Sequence, residues 1–270
     1  MSDEIGLLVC GAAGRMGRLI IALCRDEPGL RIAGAVEAPG HPALGQDAGS
    51  AADGRPLGVR IDKDLAALVR RDHVVVDFTG APDVAVRHAA LAVERGAALV
   101  VGTTGFDVRQ HEEMAALATR TRSVVAANFS VGVTVLTELV TLAARLLDRS
   151  FEPEIVELHH HSKKDAPSGT ALALAHAIAT TRRIDFDDAA RLAREGLVGE
   201  RSRDEIGIVA LRAGDAVGDH TVVFGGLGER VELIHRAQSR ECLARGALRA
   251  ARWVADQRPG LYSMRDVLGL

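Results

Sequence analysis

Short, unbroken apolar runs recur along the first half of the chain, each followed by a stretch of helical period. Leu7-Leu8-Val9-Cys10 and residues 32–36, 74–78, 98–101 and 123–127 read as strands. Residues 18–25, 65–70, 82–95 and 108–121 read as helices. A strand with one face in water alternates apolar and polar residues, whereas an unbroken apolar run is buried on both faces. Strands of that kind alternating with helices define a doubly wound, parallel α/β sheet. Residues 38–60, rich in Gly, Ala and Asp, read as a loop with little regular structure.

The pattern changes after Asn128. Residues 132–147 form a long apolar helical stretch, 154–158 a strand and 168–180 a helix. Residues 206–213, 217–224 and 230–235 are consecutive strands with no helix between them, which implies an antiparallel or mixed sheet. A last helical stretch, 240–256, returns to the first domain. The expected division is residues 1–128 plus 240–270 in one domain and 129–239 in a second, α+β domain.

The first strand runs into Gly11-Ala12-Ala13-Gly14-Arg15-Met16-Gly17 and then a helix. Glycines there let the backbone turn sharply and approach a pyrophosphate, whose charge is met by the helix N-terminus. Glu37 closes the second strand, where a ribose-binding carboxylate belongs. Strand, turn, helix, strand and acid together make the first domain Rossmann-like and dinucleotide-binding. The bland alternatives are a structural turn and a solvated carboxylate. Three other strand ends carry small or polar residues: Asp77-Phe78-Thr79, Gly102-Thr103-Thr104-Gly105 and Ala126-Ala127-Asn128-Phe129-Ser130. Ligand crevices of parallel sheets lie outside the carboxyl ends of the strands, so these loops are candidates to line a cofactor site.

Net charge is −3, so no broad basic field favours nucleic acid or an acidic membrane surface. No apolar run is long enough to span a bilayer. The acidic opening lacks the basic start of a signal peptide. Cys10, Cys24 and Cys242 form no close motif, which fits reduced thiols in the cytoplasm. Cys10, inside an apolar run, reads as a buried inert thiol.

Lys and Arg total 33, yet only Lys63, Lys163 and Lys164 are lysines. Two of these sit in the segment Glu157-Leu158-His159-His160-His161-Ser162-Lys163-Lys164-Asp165-Ala166-Pro167-Ser168-Gly169-Thr170. Pro167-Ser168 resembles a helix entrance with Ser168 as N-cap, so N–H groups near Gly169 and Thr170 would favour an anion. A compact ammonium and an imidazole nearby suit a carboxylate-bearing substrate that must be protonated. Two rival readings stand: a metal site, disfavoured because adjacent histidines on a strand point to opposite faces, and a polar surface loop.

At these residues the chain resembles the 4-hydroxy-tetrahydrodipicolinate reductases (the dihydrodipicolinate reductase family). The likeness covers the glycine turn at 11–17, Asp77-Phe78-Thr79, Val101-Gly102-Thr103-Thr104-Gly105-Phe106 and Ala127-Asn128-Phe129-Ser130-Val131-Gly132-Val133. It continues through Glu157-x-His159-His160, Lys163-x-Asp165-Ala166-Pro167-Ser168-Gly169-Thr170, Arg212-Ala213-Gly214-Asp215, Gly218-Asp219-His220 and Met264-Arg265-Asp266-Val267-Leu268. The lysine-to-threonine segment is highly specific; the glycine turn is not. The resemblance implies that the backbone of Gly11, Ala12, Ala13, Gly14, Arg15 and Met16 holds the pyrophosphate, with Glu37 on the adenosine ribose. Gly102, Thr103, Thr104, Ala126, Ala127, Asn128 and Phe129 would line the nicotinamide side. It further implies His159 as acid/base group and Lys163 as second proton donor. His160, Lys163, Gly169 and Thr170 would bind the substrate carboxylates, with no metal, in a homotetramer assembled through the second domain's sheet.

Ala38-Pro39 follow Glu37, so no cation stands where a 2′-phosphate would need one. NADH is therefore expected to serve at least as well as NADPH, with Arg15 the one cation in the turn able to rescue NADPH. Two other readings remain. A different two-domain dehydrogenase would need a nucleophilic cysteine, and none is suitably placed. A non-catalytic dinucleotide sensor would not need His159 and Lys163.

Overall fold

The computed structural model describes residues 4–270; Met1, Ser2 and Asp3 of the acidic opening lie outside them. The chain forms two compact units, Met1–Val131 with Glu241–Leu270, and Gly132–Arg240. No helix among the described residues is long and apolar enough to cross a membrane.

The first unit runs β1 (Ile5–Cys10), α1 (Arg15–Cys24), β2 (Leu30–Val36), α2 (Ala48–Asp53), β3 (Ile61–Asp62), α3 (Leu65–Leu68), β4 (His73–Asp77), α4 (Pro82–Arg95), β5 (Ala98–Val101), α5 (Val108–Ala118) and β6 (Arg122–Val125). The second unit holds α6 (Val131–Leu146), β7 (Glu152–His159), α7 (Gly169–Arg182), α8 (Phe186–Ala189), β8 (Ala190–Arg191), β9 (Ile206–Arg212), β10 (Gly218–Gly225) and β11 (Arg230–Ala237). The chain then returns to the first unit as α9 (Glu241–Ala255), β12 (Gly260–Tyr262) and α10 (Met264–Leu268).

In the first unit all seven strands run parallel, in the order β12-β6-β5-β4-β1-β2-β3. The order reverses at β1, the switch point at which such sheets bind ligands. Alternate side chains of the apolar runs serve opposite layers. Leu7, Val9, Val74, Val76 and Val100 pack with α1 and α9, while Leu8, Cys10, Val75, Leu99 and Val101 pack with α4. Helix α9 joins this sheet because Ala244, Ala247, Leu248, Ala251 and Val254 make one apolar stripe at helical spacing.

One part of residues 38–60 departs from the expected loop. Residues 48–53 form α2, because the Asp47 carboxylate accepts N–H bonds from Ser50, Leu57 and Gly58 and so closes a helix start and the return chain together. The two-residue β3 follows.

The sheet of the second unit has the order β11-β10-β7-β9-β8 and is mixed: β10 is antiparallel to β7 and β11, while β9 is parallel to β7 and β8. One face is buried under α6 and α7, through Leu136, Val140, Leu174 and Ile178 against Ile155, Ile208, Val222 and Phe224. Across the other face run Ile234, Thr221, Val156 and Val209 in register, with Leu158 beside Leu211.

Candidate active site

In the first unit, Gly11 adopts φ +78°, and a Cβ on it would stand 2.9 Å from Phe78 O. A Cβ on Gly17 would stand 2.2 Å from Gly11 O, so the start of α1 approaches the turn as only glycine allows. Most N–H groups of the turn are engaged: Gly11 and Ala12 donate to Val36 O, and Gly14 to Gly11 O. Ala13 donates to Glu37 Oε2 at 2.9 Å, while Glu37 Oε1 accepts from Ala38 N. Gly14, the N-cap of α1, offers no side chain, so the helix start at Arg15 and Met16 is uncapped and suited to an anion. The turn and Glu37 are thereby brought together, as a dinucleotide's pyrophosphate and ribose require.

Loop residues at the other strand ends divide into two kinds. Thr103, Thr104, Ala126 and Ala127 line one pocket of about 480 Å³, closed by Phe106, His111, Tyr262 and Asp266. Within it the Thr103 hydroxyl is buried and committed, donating to Asp77 Oδ1 at 2.6 Å and accepting from Gly80 N. Gly102 gives room to the Phe78 ring, which a Cβ there would meet at 2.1 Å. Phe129 is 1% exposed and packs on Phe78 in the core, so only its backbone can face a ligand. Asn128 is half-buried and its Oδ1 accepts from Ser130 N. The contribution of β12 and α10 to this pocket escaped the sequence reading. Its signal was the capping box Ser263-x-x-Asp266, a helix start directly after a short strand.

Cys10, Asp77 and His88 lie close enough to form a metal cluster. The Asp77 carboxylate is already occupied, by Thr79 N and Oγ1, Thr103 Oγ1 and His88 Nδ1, the last at 2.7 Å. Burial, with Asp77 and Glu37 adding to it, pushes the Cys10 thiol well up from its ordinary range, as an inert thiol requires.

In the second unit the period-2 burial of β7 turns Glu157 and His159 to the same covered side, so His159 ends the strand rather than beginning the loop. His160 is half-buried and His161 exposed. His159 Nδ1 lies 2.5 Å from Glu157 Oε2. The other Glu157 oxygen accepts from Ser168 N at 3.0 Å, and Arg212 grips both oxygens at 2.8 and 3.0 Å. Burial alone would raise the Glu157 carboxyl, but the hydrogen bonds from Arg212, His159 and Ser168 hold it below the usual carboxylate range. Arg212 also donates to Asp165 O, and the Lys163 ammonium sits 2.8 Å from each Asp165 oxygen. That ion pair keeps the Asp165 carboxyl low.

Ser168 caps α7: its Oγ accepts from Ala171 N and is 3.0 Å from His220 Nε2. Burial first, then the neighbouring His159, pushes His220 down to about 4, so it is a neutral imidazole hydrogen-bonded to the serine hydroxyl. The His220 ring meets His159 edge-on at 5.2 Å. His160 Nδ1 pairs with Ser162 Oγ, and its Nε2 is 3.5 Å from Arg240 Nη2. Partial burial, then the positive charge of Arg240, lowers His160. Thus His159, His160, Lys163 and the α7 start at Gly169 and Thr170 share one end of the unit. Sequence reading gave no role to Glu157, Arg212, His220 or Arg240. Glu157 was readable from its two-residue spacing to His159 on a strand. Arg212 was not, since it arrives by the β7–β9 pairing, in which it is the direct partner of His159.

A parallel sheet with a glycine turn and a turn-bound acid, followed in the same chain by a mixed sheet bearing imidazole, ammonium and a capped helix start, defines a two-domain Rossmann-type oxidoreductase. The family profiles "Dihydrodipicolinate reductase, N-terminus" and "Dihydrodipicolinate reductase, C-terminus" match residues 5–129 and 132–268. The 4-hydroxy-tetrahydrodipicolinate reductase of Anaeromyxobacter dehalogenans is 50% identical over 264 residues, 98% of this chain and 97% of its own. That of Citrifermentans bemidjiense is 46% identical over 266 residues, 98% and 99%. In fold, a dipicolinate-bound dihydrodipicolinate reductase from Paenisporosarcina sp. TG-14 superposes with TM-score 0.72 at 23% identity, covering 96% of this chain and 97% of that one. The chain belongs to the dihydrodipicolinate reductase family.

Proposed function

We propose that this reductase of lysine and diaminopimelate biosynthesis works on a cyclic imine dicarboxylate derived from 4-hydroxy-tetrahydrodipicolinate, giving tetrahydrodipicolinate. The observation that carries the reading is the convergence of His159, Lys163 and the start of α7 at one end of the second unit. A nicotinamide dinucleotide, when bound, supplies the hydride. The glycine turn would hold its pyrophosphate, Glu37 its ribose, and the loops at Gly102–Thr104 and Ala126–Phe129 its nicotinamide side. His160, Lys163 and the N–H groups of Gly169 and Thr170 bind the two carboxylates, which lowers the cost of bringing an anion in and orients it. The reduced ring carries an electron pair that needs a proton. His159 delivers it, with Lys163 as the second donor.

NADH serves at least as well as NADPH in this reading. It is supported by the Glu37 carboxylate, fixed over the turn by Ala13 N and Ala38 N with no cation at Ala38 or Pro39. The functional enzyme is a homotetramer joined through the open sheet face, and it works in the cytoplasm. Support comes from Val209, Leu211 and Ile234, each 40–48% exposed on that face, and from three cysteines that form no disulfide. The test is oxidation of NADH by the purified protein, dependent on the condensation product of pyruvate and aspartate semialdehyde. His159→Gln should lower turnover by about 10²–10⁴-fold with NADH affinity kept. No dicarboxylate-dependent oxidation, or full activity in the variant, would overturn the assignment.

A further inference from the structure

We infer that Glu157, gripped by Arg212, is the positioning residue of this site. It keeps the hydrogen of His159 on Nδ1, so that Nε2 is the nitrogen that takes up a proton from solvent and then delivers it, and it ties the carboxylate-binding start of α7 to the same group. The inference rests on the reading of His159 as proton donor.

Glu157 is fully buried, and each of its oxygens accepts two hydrogen bonds. Arg212 fills one position on each oxygen, which neutralises the charge where water cannot. The remaining position on Oε2 goes to His159 Nδ1, and that on Oε1 to Ser168 N. An ionised carboxylate only accepts, so Nδ1 must carry the hydrogen. Nε2 makes no hydrogen bond within the described chain and faces Gly218, on which a Cβ would stand 2.9 Å away.

The same pair reaches the other two groups of the site. Ser168 N is the backbone immediately before Gly169, so its bond to Oε1 fixes where the first turn of α7 begins. Arg212 Nη2 also donates to Asp165 O, and Asp165 is the partner of Lys163. Proton donor, carboxylate cradle and ammonium therefore hang on one ion pair drawn from β7 and β9. A buried ion pair is a poor way to gain stability, since well-packed apolar groups often do better. Its value here is geometric: three reacting or binding groups are referred to one rigid pair of oxygens.

Glu157→Gln keeps the volume but sets an NH₂ against N–H donors on one side, so the four-donor arrangement cannot survive. The test uses ¹⁵N-histidine-labelled protein without cofactor at about pH 9, well above the ordinary imidazole range near 6.5. His159 signals are assigned by their loss in His159→Gln. The expected result is Nδ1–H with bare Nε2 in the unaltered protein, and a growing share of Nε2–H in Glu157→Gln. In parallel, Glu157→Gln should lower kcat by about 10²–10⁴-fold, raise KM for the dicarboxylate and leave KM for NADH unchanged. Arg212→Lys, which keeps the charge but loses the fork, should fall between. Dominant Nε2–H in the unaltered protein overturns the inference, as does a Glu157→Gln enzyme of normal kcat. If Glu157→Gln does not fold, the unaltered tautomer and Arg212→Lys kinetics decide alone. An absence of dicarboxylate turnover in the unaltered enzyme would refute the functional reading and leave the tautomer result standing.

Discussion

Gly218 opens β10 beside His159, and Gly218→Ala puts one methyl group against the proposed proton donor. The added Cβ would lie 2.9 Å from His159 Nε2 and 3.6 Å from His220 Cε1. Carbon contacts are comfortable at about 3.5–4.0 Å, so the imidazole must retreat by roughly 0.5–1 Å. It has little freedom to do so, because Nδ1 is held 2.5 Å from Glu157 and the ring abuts His220. Overpacking of this kind costs about 1–3 kcal/mol of stability, and a displacement near 1 Å costs about 10²-fold in rate. The assay is steady-state NADH oxidation with the cyclic dicarboxylate, beside thermal unfolding. The expected result is a kcat about 10²-fold lower, KM for NADH unchanged and a modestly lower Tm. Gly225→Ala is the control: it lies at the far end of the same strand, its nearest neighbour would be Glu152 O at 3.9 Å, and it should be near normal. Equal turnover in the two variants would refute the claim that His159 must stay where Glu157 holds it.

Glu37→Ala removes the fixed carboxylate over the glycine turn. The NADPH-to-NADH ratio of kcat/KM should rise by about tenfold or more, and an unchanged ratio would remove Glu37 from cofactor choice. Lys163→Arg keeps the charge but replaces a group that can release a proton with one that does not, so kcat should fall more than dicarboxylate affinity does; the reverse split would make Lys163 a binding group only. Leu211→Glu sets a charge on the open sheet face, and sedimentation velocity should report smaller assemblies. The Asp47 carboxyl is held down to about 2 by N–H groups of Ser50, then Leu57 and Gly58. Because this lies below the ordinary unfolded value near 3.9, its contribution is complete above about pH 4 and lost as pH falls toward 2. Amide exchange at Leu57 and Gly58 should therefore lose protection only in that acid window, and loss near neutrality would show that Asp47 does not hold the loop.

The parallel sheet was legible because burial on both faces writes itself into consecutive residues: residues 98–101 need no partner to be recognised as a strand. The glycine turn was legible because two of its positions admit no side chain. Helix α2 was not, since its three closing bonds converge on Asp47 from residues up to eleven positions away and leave no local period. In the second unit the segment from His159 to Thr170 suggested a proton donor and an anion-binding helix start through its residue types. What organises it did not, because Arg212 and His220 come from strands more than 50 residues further along.

The two helix starts show why composition pointed to function but not to geometry. At α1 the cap is Gly14, which offers no side-chain oxygen, and the neighbouring carboxylate of Glu37 takes the N–H of Ala13, one residue before the cap. At α7 the cap is Ser168, whose hydroxyl consumes the third N–H, at Ala171, and not that of Gly169. A serine cap is thus compatible with an anion at the first positions of α7, provided its own N–H is satisfied elsewhere, and Glu157 provides that. In the proposed reading, the acid that orients His159 is therefore also the one that satisfies the cap's own N–H beside the carboxylate-binding start of α7. Removing it would disturb proton delivery and carboxylate binding together, whereas losing Lys163 or His160 would touch one function more than the other.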